Sequence, residues 1–327
     1  MTRSAGGAAR TGPPGVDAGS PVRIPARGWG QVLQRAGQRL LAERFPLLSA
    51  GIAFFALLSL APVLLTALSI YGAVTTPEEA LAQLSGVAGV LPPALQQLVA
   101  DQLTTITAAS AQVLTVRGLS GLVVALWTAT TAATYLIDAL TLAYHEEETR
   151  GLLRRTGLGL AFVLGGALLL GGVLTAAGVA SPVVAGAPQS LRAAAEVLVW
   201  VVLAALMVAV LSALYRLAPD RRRARWRWIT GGAAVATALW VATSVGLFAY
   251  VQGLGTYETT YGSLAGVAIS MFWVWVTVLL VLVGAVVDAE AERQTARDST
   301  VGPERPLGQR EAVVADSAPP YPQDAGG

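Results

Sequence analysis

Thr128, Thr131, Tyr135 and Asp138 are spaced three, four and three residues apart. On a helix they share one face, a polar stripe with Thr134 and Thr141 alongside. Asp138 follows twenty uncharged residues, 118–137. A carboxylate held in hydrocarbon costs at least ~2.5 to 3.5 kcal/mol, so it must face protein or water. Two roles stay open for it: contact with a polar cargo in a cavity, or hydrogen bonding to a neighbouring helix near the membrane edge, since Tyr144 lies only six residues on. Pro62 cannot donate to the carbonyl of Leu58 and is a candidate hinge, with Ser59 one turn earlier as a donor to the freed group. Transporters place broken helices at substrate sites, and lone prolines are also tolerated in ordinary spans.

Other reactive groups are sparse. His145 is the single histidine and precedes Glu146, Glu147 and Glu148, whereas catalytic zinc draws two or three histidines from fixed elements. The group reads as solvated loop charge. Arg221, Arg222, Arg223, Arg225 and Arg227, interleaved with Trp226 and Trp228, resemble a nucleic-acid patch. Directly before an apolar run they are better explained as an orientation signal and a contact with anionic phospholipids. The chain has no cysteine, and it has no Walker A loop, dinucleotide fingerprint or nucleophile elbow. RNA hydrolysis needs a metal cluster or paired acid and base groups, and no such constellation is concentrated here. The expectation is a non-enzyme with no cofactor, no metal and no nucleic-acid partner.

The elements that would hold these residues are apolar. Six runs lack any Asp, Glu, Lys, Arg or His: 45–77, 118–137, 156–191, 197–215, 228–257 and 259–287. Each is long enough to cross a roughly 30 Å hydrocarbon layer, which takes about 20 residues. With 54% hydrophobic and 13% charged residues and a mean hydropathy of +0.60, no soluble class fits. The fold class is therefore all-α, an integral membrane bundle over 29–292 with spans at about 47–74, 119–143, 157–180, 197–215, 229–252 and 262–287.

A seventh uncharged stretch, 80–100, carries Gln83, Gln96, Gln97 and the pair Pro92 and Pro93, which would strand backbone groups in lipid. Thr76, Pro77 and Glu79 open it like a capped surface helix, so amphipathic helices are expected in this first outer loop. With six spans, 20 of the 22 arginines fall on one side and only Arg117 and Arg192 on the other. The positive-inside rule then places both termini in the cytoplasm. Tyr144, Tyr215, Trp226 and Trp228 would form the inner aromatic belt, and Tyr71, Tyr250, Tyr257 and Tyr261 the outer one. Tyr257, Tyr261, Gly262, Ser263 and Gly266 make an outer turn with a GxxxG packing pair. Gly165, Gly166, Gly171 and Gly172, and Gly231 with Gly232, read as further small-residue contacts.

Residues 1–28 and 293–327 are Gly-, Pro- and Ala-rich without periodicity, and are expected to be disordered cytoplasmic tails. Next to the first tail, Trp29, Val32, Leu33, Ala36 and Leu40 line one helical face and Gln31, Arg35, Gln38 and Arg39 the other. This helix either lies in the anionic interface or extends the first span.

Four ordered blocks carry a family resemblance. SAGIAFFALLSLAPVLLTALS (49–69), ALWTATTAATYLIDALTLAYHEEETR (125–150), YRLAPDRRRARWRWITGG (215–232) and YETTYGSLAGVAISMFWVWVTVLLVLVGA (257–285) resemble the first span, the second span with its exit, the basic loop and the last span of the YihY/BrkB membrane protein family, once labelled ribonuclease BN. The resemblance covers about 29–292. It implies six helices with both termini inside, and a family with members named for virulence, in which transport of lipid-like molecules has been suspected. The chain departs from the pattern at Phe55, where Tyr is usual, and at Val286 and Asp288, where an acidic residue and Asn are usual. The expected function is a transporter or lipid flippase in the bacterial cytoplasmic membrane, contacting the bilayer, anionic phospholipids and a lipid-like or small-molecule substrate. The alternative is a non-catalytic scaffold that contacts envelope machinery through the outer loop.

Overall fold

The computed structural model describes residues 14–74, 111–186, 188–253 and 263–317. Its elements are a 3-10 turn at Pro21–Arg23 and eight helices: α1 (Ala26–Ala42), α2 (Phe45–Val74), α3 (Ala111–Ala143), α4 (Leu152–Ala185), α5 (Gln189–Leu217), α6 (Trp226–Gly253), α7 (Ser263–Glu292) and the short α8 (Val313–Asp316). Among the described residues the chain is all-α; the one extended pairing is an isolated bridge between Ala224 and Thr300. Among the described residues, five helices are long and apolar enough to cross a bilayer, over Leu119–Ala143, Leu152–Ala180, Gln189–Leu217, Trp226–Val251 and Gly266–Glu292. A sixth arises from α1 with the first half of α2, Phe45–Leu60, bent by 64°. The bend has a local cause. Arg44 takes a left-handed φ of 56°, which ends α1, and its carbonyl then accepts the amides of Leu47 and Leu48 to start α2. The expected outer-loop helices of 76–110 lie outside the described residues.

Packing is uneven. α7 is the hub, contacting α1, α2, α3 and α6, while α2 and α3 form the tightest pair. The buried core gathers where α3, α5 and α7 end and α2 and α6 begin, around Phe45, Ile137, Leu140, Tyr144, Tyr215, Ile229, Leu282 and Val286. We call this the basic end, because the arginine-bearing connections lie there. Close approach of α6 to α7 requires glycine: a Cβ on Gly232 would collide with the carbonyl of Gly284 and the carboxyl of Asp288, and one on Gly284 would meet Ala236 and the Tyr215 hydroxyl. The Gly232 amide donates to Asp288 Oδ1 (2.5 Å), and the Tyr215 hydroxyl to the Val281 carbonyl (2.6 Å). Trp275 Nε1 ties α7 to α2 at the carbonyl of Pro46 (2.9 Å).

α4 and α5 are different. They follow one another in the chain, yet they touch at few positions, α4 leaning on α3 and α5 on α6. The four third-span glycines, Gly165, Gly166, Gly171 and Gly172, would meet nothing within 4 Å if given a Cβ. The expectation that they form a packing surface is corrected, because the neighbouring helix stands away from them.

The terminal segments also correct the sequence reading. Residues 14–28 and 293–317 are not free tails; they fold over the basic end. The amide of Ala296 donates to Val16 O (2.9 Å), Arg225 to Ser299 O (2.9 Å), Val301 to Arg223 O (3.0 Å) and Arg222 to Glu311 O (3.1 Å). Asp298 orders the turn by accepting the amides of Thr300 and Arg305 (both 2.9 Å). Burial opposes its ionisation, but these donors prevail and hold its pKa below the ordinary carboxylate value. Backbone pairing with distant loops leaves no periodic signature, so composition alone read as disorder. Tyr144, Tyr215 and Trp228, expected in a headgroup belt, are buried in the protein, whereas Trp226 and Tyr250 are exposed.

Gly232→Ala should destabilise the detergent-solubilised protein by at least about 2 kcal/mol through overpacking. Gly165→Ala, placed in open space, should change thermal unfolding little.

Candidate functional site

Thr128 and Thr134 of the polar stripe of α3 are buried, while Tyr135 is exposed. The Thr128 hydroxyl donates to the carbonyl of Val124 (2.8 Å), Thr131 to Trp127 (2.7 Å) and Thr134 to Thr130 (2.7 Å). Each spends its proton one turn back on its own helix, which leaves little to offer a cargo. Tyr135 stands edge-on to Phe55 of α2 with ring centroids 5.4 Å apart. Asp138 pairs with Arg155 of α4, Oδ1 to Nη1 at 3.2 Å. Asp138 thus has a charged partner on the neighbouring helix, while its side chain is 32% exposed. Thr134 faces Gly159 so closely that a Cβ there would strike its hydroxyl, so the stripe divides between α2 and α4.

The hinge candidates lie inside a continuous helix. α2 runs unbroken through Pro62, and the Ser59 hydroxyl donates to Ala56 O (2.7 Å) and not to Leu58. Of the outer turn, Tyr257, Tyr261 and Gly262 lie outside the described residues, while Ser263 opens α7 and Gly266 follows one turn later. Beyond them an apolar groove of about 670 Å³ separates α6 from α7, between Leu247, Tyr250, Ile269 and Phe272.

The arginine loop between α5 and α6 holds the most chemistry. Arg221 is buried, with Nη2 donating to both carboxylate oxygens of Glu292 (2.8 and 2.9 Å) and its guanidinium 4.8 Å from the Tyr144 ring centroid. Burial works against its charge, but Glu292 outweighs that and raises its pKa further. Arg222 donates to Val301 O and Arg225 to Thr300 O and Gly302 O. Of the five arginines expected to contact anionic phospholipid, Arg221 pairs with the end of α7, Arg222 and Arg225 hold the C-terminal segment, and Arg223 and Arg227 are exposed.

Around this loop lies a pocket of about 450 Å³ between the start of α4 and the end of α5. Arg150, Arg154, Arg216, Arg221 and Arg223 line it, with Asp220 and with Leu158, Leu217 and Pro219 as apolar wall. Asp220 accepts the amide and the hydroxyl of Thr149 (2.9 and 2.5 Å). Burial opposes its ionisation, but these bonds, with Arg150 and Arg154 nearby, depress its pKa. Arg216 lies flat over Trp226, 4.5 Å from the ring centroid. The arrangement can bind and orient an anion. Among the described residues no group of three or more His, Cys, Asp or Glu is placed to hold a metal ion.

Two acidic residues that the sequence did not single out organise this end. Glu290, at the end of α7, accepts Arg35 Nε (2.8 Å), lies 3.3 Å from both His145 Nε2 and Arg293 Nη1, and is 3.9 Å from Arg39. Glu292, two residues on, takes Arg221 and the Ser299 hydroxyl (2.5 Å). Arg35 and Arg39, expected on the polar face of an interfacial helix, turn inward, and Arg39 also donates to the carbonyls of Leu142 and Ala143 (both 2.6 Å). The available signal was three acidic residues at alternate positions, Asp288, Glu290 and Glu292, after the last apolar run.

The model of a family described as virulence factor BrkB matches residues 36–307. The chain belongs to the BrkB family. A putative ribonuclease-like protein of Bacillus subtilis, YfkH, is 28% identical over 252 residues, which is 74% of this chain and 88% of that protein. A UPF0761 membrane protein of Rhodospirillum centenum is 32% identical over 136 residues, 41% of this chain and 30% of its own length. Another from Vibrio cholerae is 37% identical over 87 residues, 26% of this chain and 29% of its own. This chain therefore spans less than a third of the UPF0761 proteins it matches. No solved structure matches it. The BrkB match runs past the last span to residue 307, and so takes in Glu290, Glu292 and the segment that pairs with the arginine loop.

Glu290→Gln leaves Arg35 and Arg39 facing a neutral amide and should cost about 3 kcal/mol, the scale of a broken buried pair. Faster proteolysis at Arg23 and Arg297 would report the opened cover. Asp138→Asn and Arg155→Gln should each lower stability by no more than about 1 kcal/mol, as for a partly exposed pair, with the double variant no worse than either single one.

Proposed function

We propose that this BrkB-family protein is a transporter of amphiphilic, lipid-like molecules, a flippase in kind, set in the bacterial cytoplasmic membrane with both termini in the cytoplasm. The observation that carries the reading is the gap between α4 and α5. An amphiphile crossing a bilayer needs a route that is open sideways to lipid for its apolar part and polar at one end for its headgroup. Leu168 and Leu170 on α4 and Val197 and Trp200 on α5 are 79%, 60%, 65% and 72% exposed, and the arginine pocket lies between the two helices at the basic end. α4, at 34 residues, is about 51 Å long at 1.5 Å per residue, longer than the roughly 30 Å slab. In this reading the pocket falls at headgroup depth. Orientation rests on the side with 20 of the 22 arginines. The ribonuclease-like name of the Bacillus relative is not carried over, because Asp220, Glu290 and Glu292 are each held by neighbouring donors, and the reading assigns the chain no catalytic role.

The absence of cysteine permits a clean test with Leu158→Cys on α4 and Leu217→Cys on α5, joined by a bifunctional maleimide. In vesicles carrying fluorescent phosphatidylglycerol, the unlinked protein should expose inner-leaflet label to dithionite at least about tenfold faster than empty vesicles, a barrier change near 1.4 kcal/mol. The cross-link should return the rate to background. A rate equal to that of empty vesicles, or one indifferent to the cross-link, overturns the proposal.

A further inference from the structure

The pocket at the basic end has a composition that a solvated charged surface does not need. Five guanidiniums line it, and the acidic groups within reach are already occupied. Asp220 is held by Thr149 and lies 3.7 Å from Arg150; Glu148 is held by Arg150 at 2.6 Å; Glu292 is held by Arg221. Arg154, Arg216 and Arg223 have no ion pair among the described residues. Donors are also left over. Arg221, whose side chain is 3% exposed, has no acceptor at Nη1, and Arg216 has none at Nε. Both guanidiniums are braced, Arg221 by Glu292 and the Tyr144 ring, Arg216 by Trp226. Positive charge fixed in position, short of acceptors and partly removed from water is costly to assemble unless an anion completes it. Planar guanidinium forks match the oxygens of a phosphate in particular.

We propose that Arg150, Arg154, Arg216, Arg221 and Arg223 form a binding site for a phosphate group, which is the headgroup site of the cargo; only this last clause rests on the transport reading. The apolar wall of Leu158, Leu217 and Pro219 faces the same space, so a phosphate carrying an acyl glycerol has a surface for its first carbons. Arg154 and Arg223 supply the outer contacts and are exposed, so they can be changed without disturbing Glu292 or the fold.

The test is equilibrium binding to the full chain in detergent with three probes: dihexanoyl phosphatidic acid, dihexanoyl glycerol, which lacks the phosphate, and inorganic phosphate. The phosphatidic acid should bind saturably and the glycerol should not. Arg154→Gln and Arg223→Gln should each weaken binding about tenfold, as loss of one charge-assisted hydrogen bond implies. Arg227→Gln, outside the pocket, should leave it unchanged. Displacement of the lipid by inorganic phosphate supports one shared phosphate site. Binding of inorganic phosphate alone, with the same arginine dependence, keeps the phosphate site and removes the headgroup role. Absence of binding by both phosphate probes, or equal affinity in the pocket variants, overturns the proposal. Saturable phosphatidic acid binding in a protein that moves no lipid in vesicles would keep the site and sink the transport reading.

Discussion

Glu290 and Glu292 are the constraint around which the basic end is built. Carboxylates 1–2% exposed are affordable only when cations and donors surround them, and no single neighbouring element supplies enough. Glu290 draws on α1 through Arg35 and Arg39, on the connection after α3 through His145, and on Arg293 just beyond its own helix. Glu292 draws on the loop after α5 and on the C-terminal segment through Arg221 and Ser299. One helical turn of α7 thereby fixes the relative positions of four other parts of the chain.

That anchoring explains the asymmetry of the bundle. Hydrophobic driving force between helices vanishes in lipid, so helices hold together where backbones approach closely or polar groups bridge them. The α6–α7 contact has both, with Gly232 against Gly284 and the Asp288 bridge. α4 and α5 have neither between them along most of their length. The same physics that closes the basic end therefore leaves one side open, and the arginine pocket lies at the junction of the two regimes. The arginine loop serves both parts: Arg222 and Arg225 face the C-terminal segment, while Arg221 and Arg223 border the pocket.

Among the candidate site residues, legibility followed the range of the interactions. The alignment of Thr128, Thr131, Tyr135 and Asp138 on one face of a helix was readable, because helical periodicity is local. That Asp138 meets Arg155, and that the threonines bond to their own helix, was not, because each depends on which neighbour stands opposite. The arginine run at 221–227 was visible as a charge cluster, but its division into inward and exposed members is set by Glu292, Thr300 and Glu311, more than 70 residues away.

The sequence by itself determined the class of protein. Six long uncharged runs cannot stay in water, and in lipid a single chain of such runs satisfies its backbone as helices. It also determined where the charge sits, since arginines cannot be drawn into the slab. Only the tertiary structure decided which charges neutralise one another, that both terminal segments within the described residues fold back as a cover, and that α4 and α5 stand apart above an arginine-lined pocket. Those outcomes depend on pairings across the whole chain, and a polar segment reads the same in sequence whether water or a distant carboxylate satisfies it.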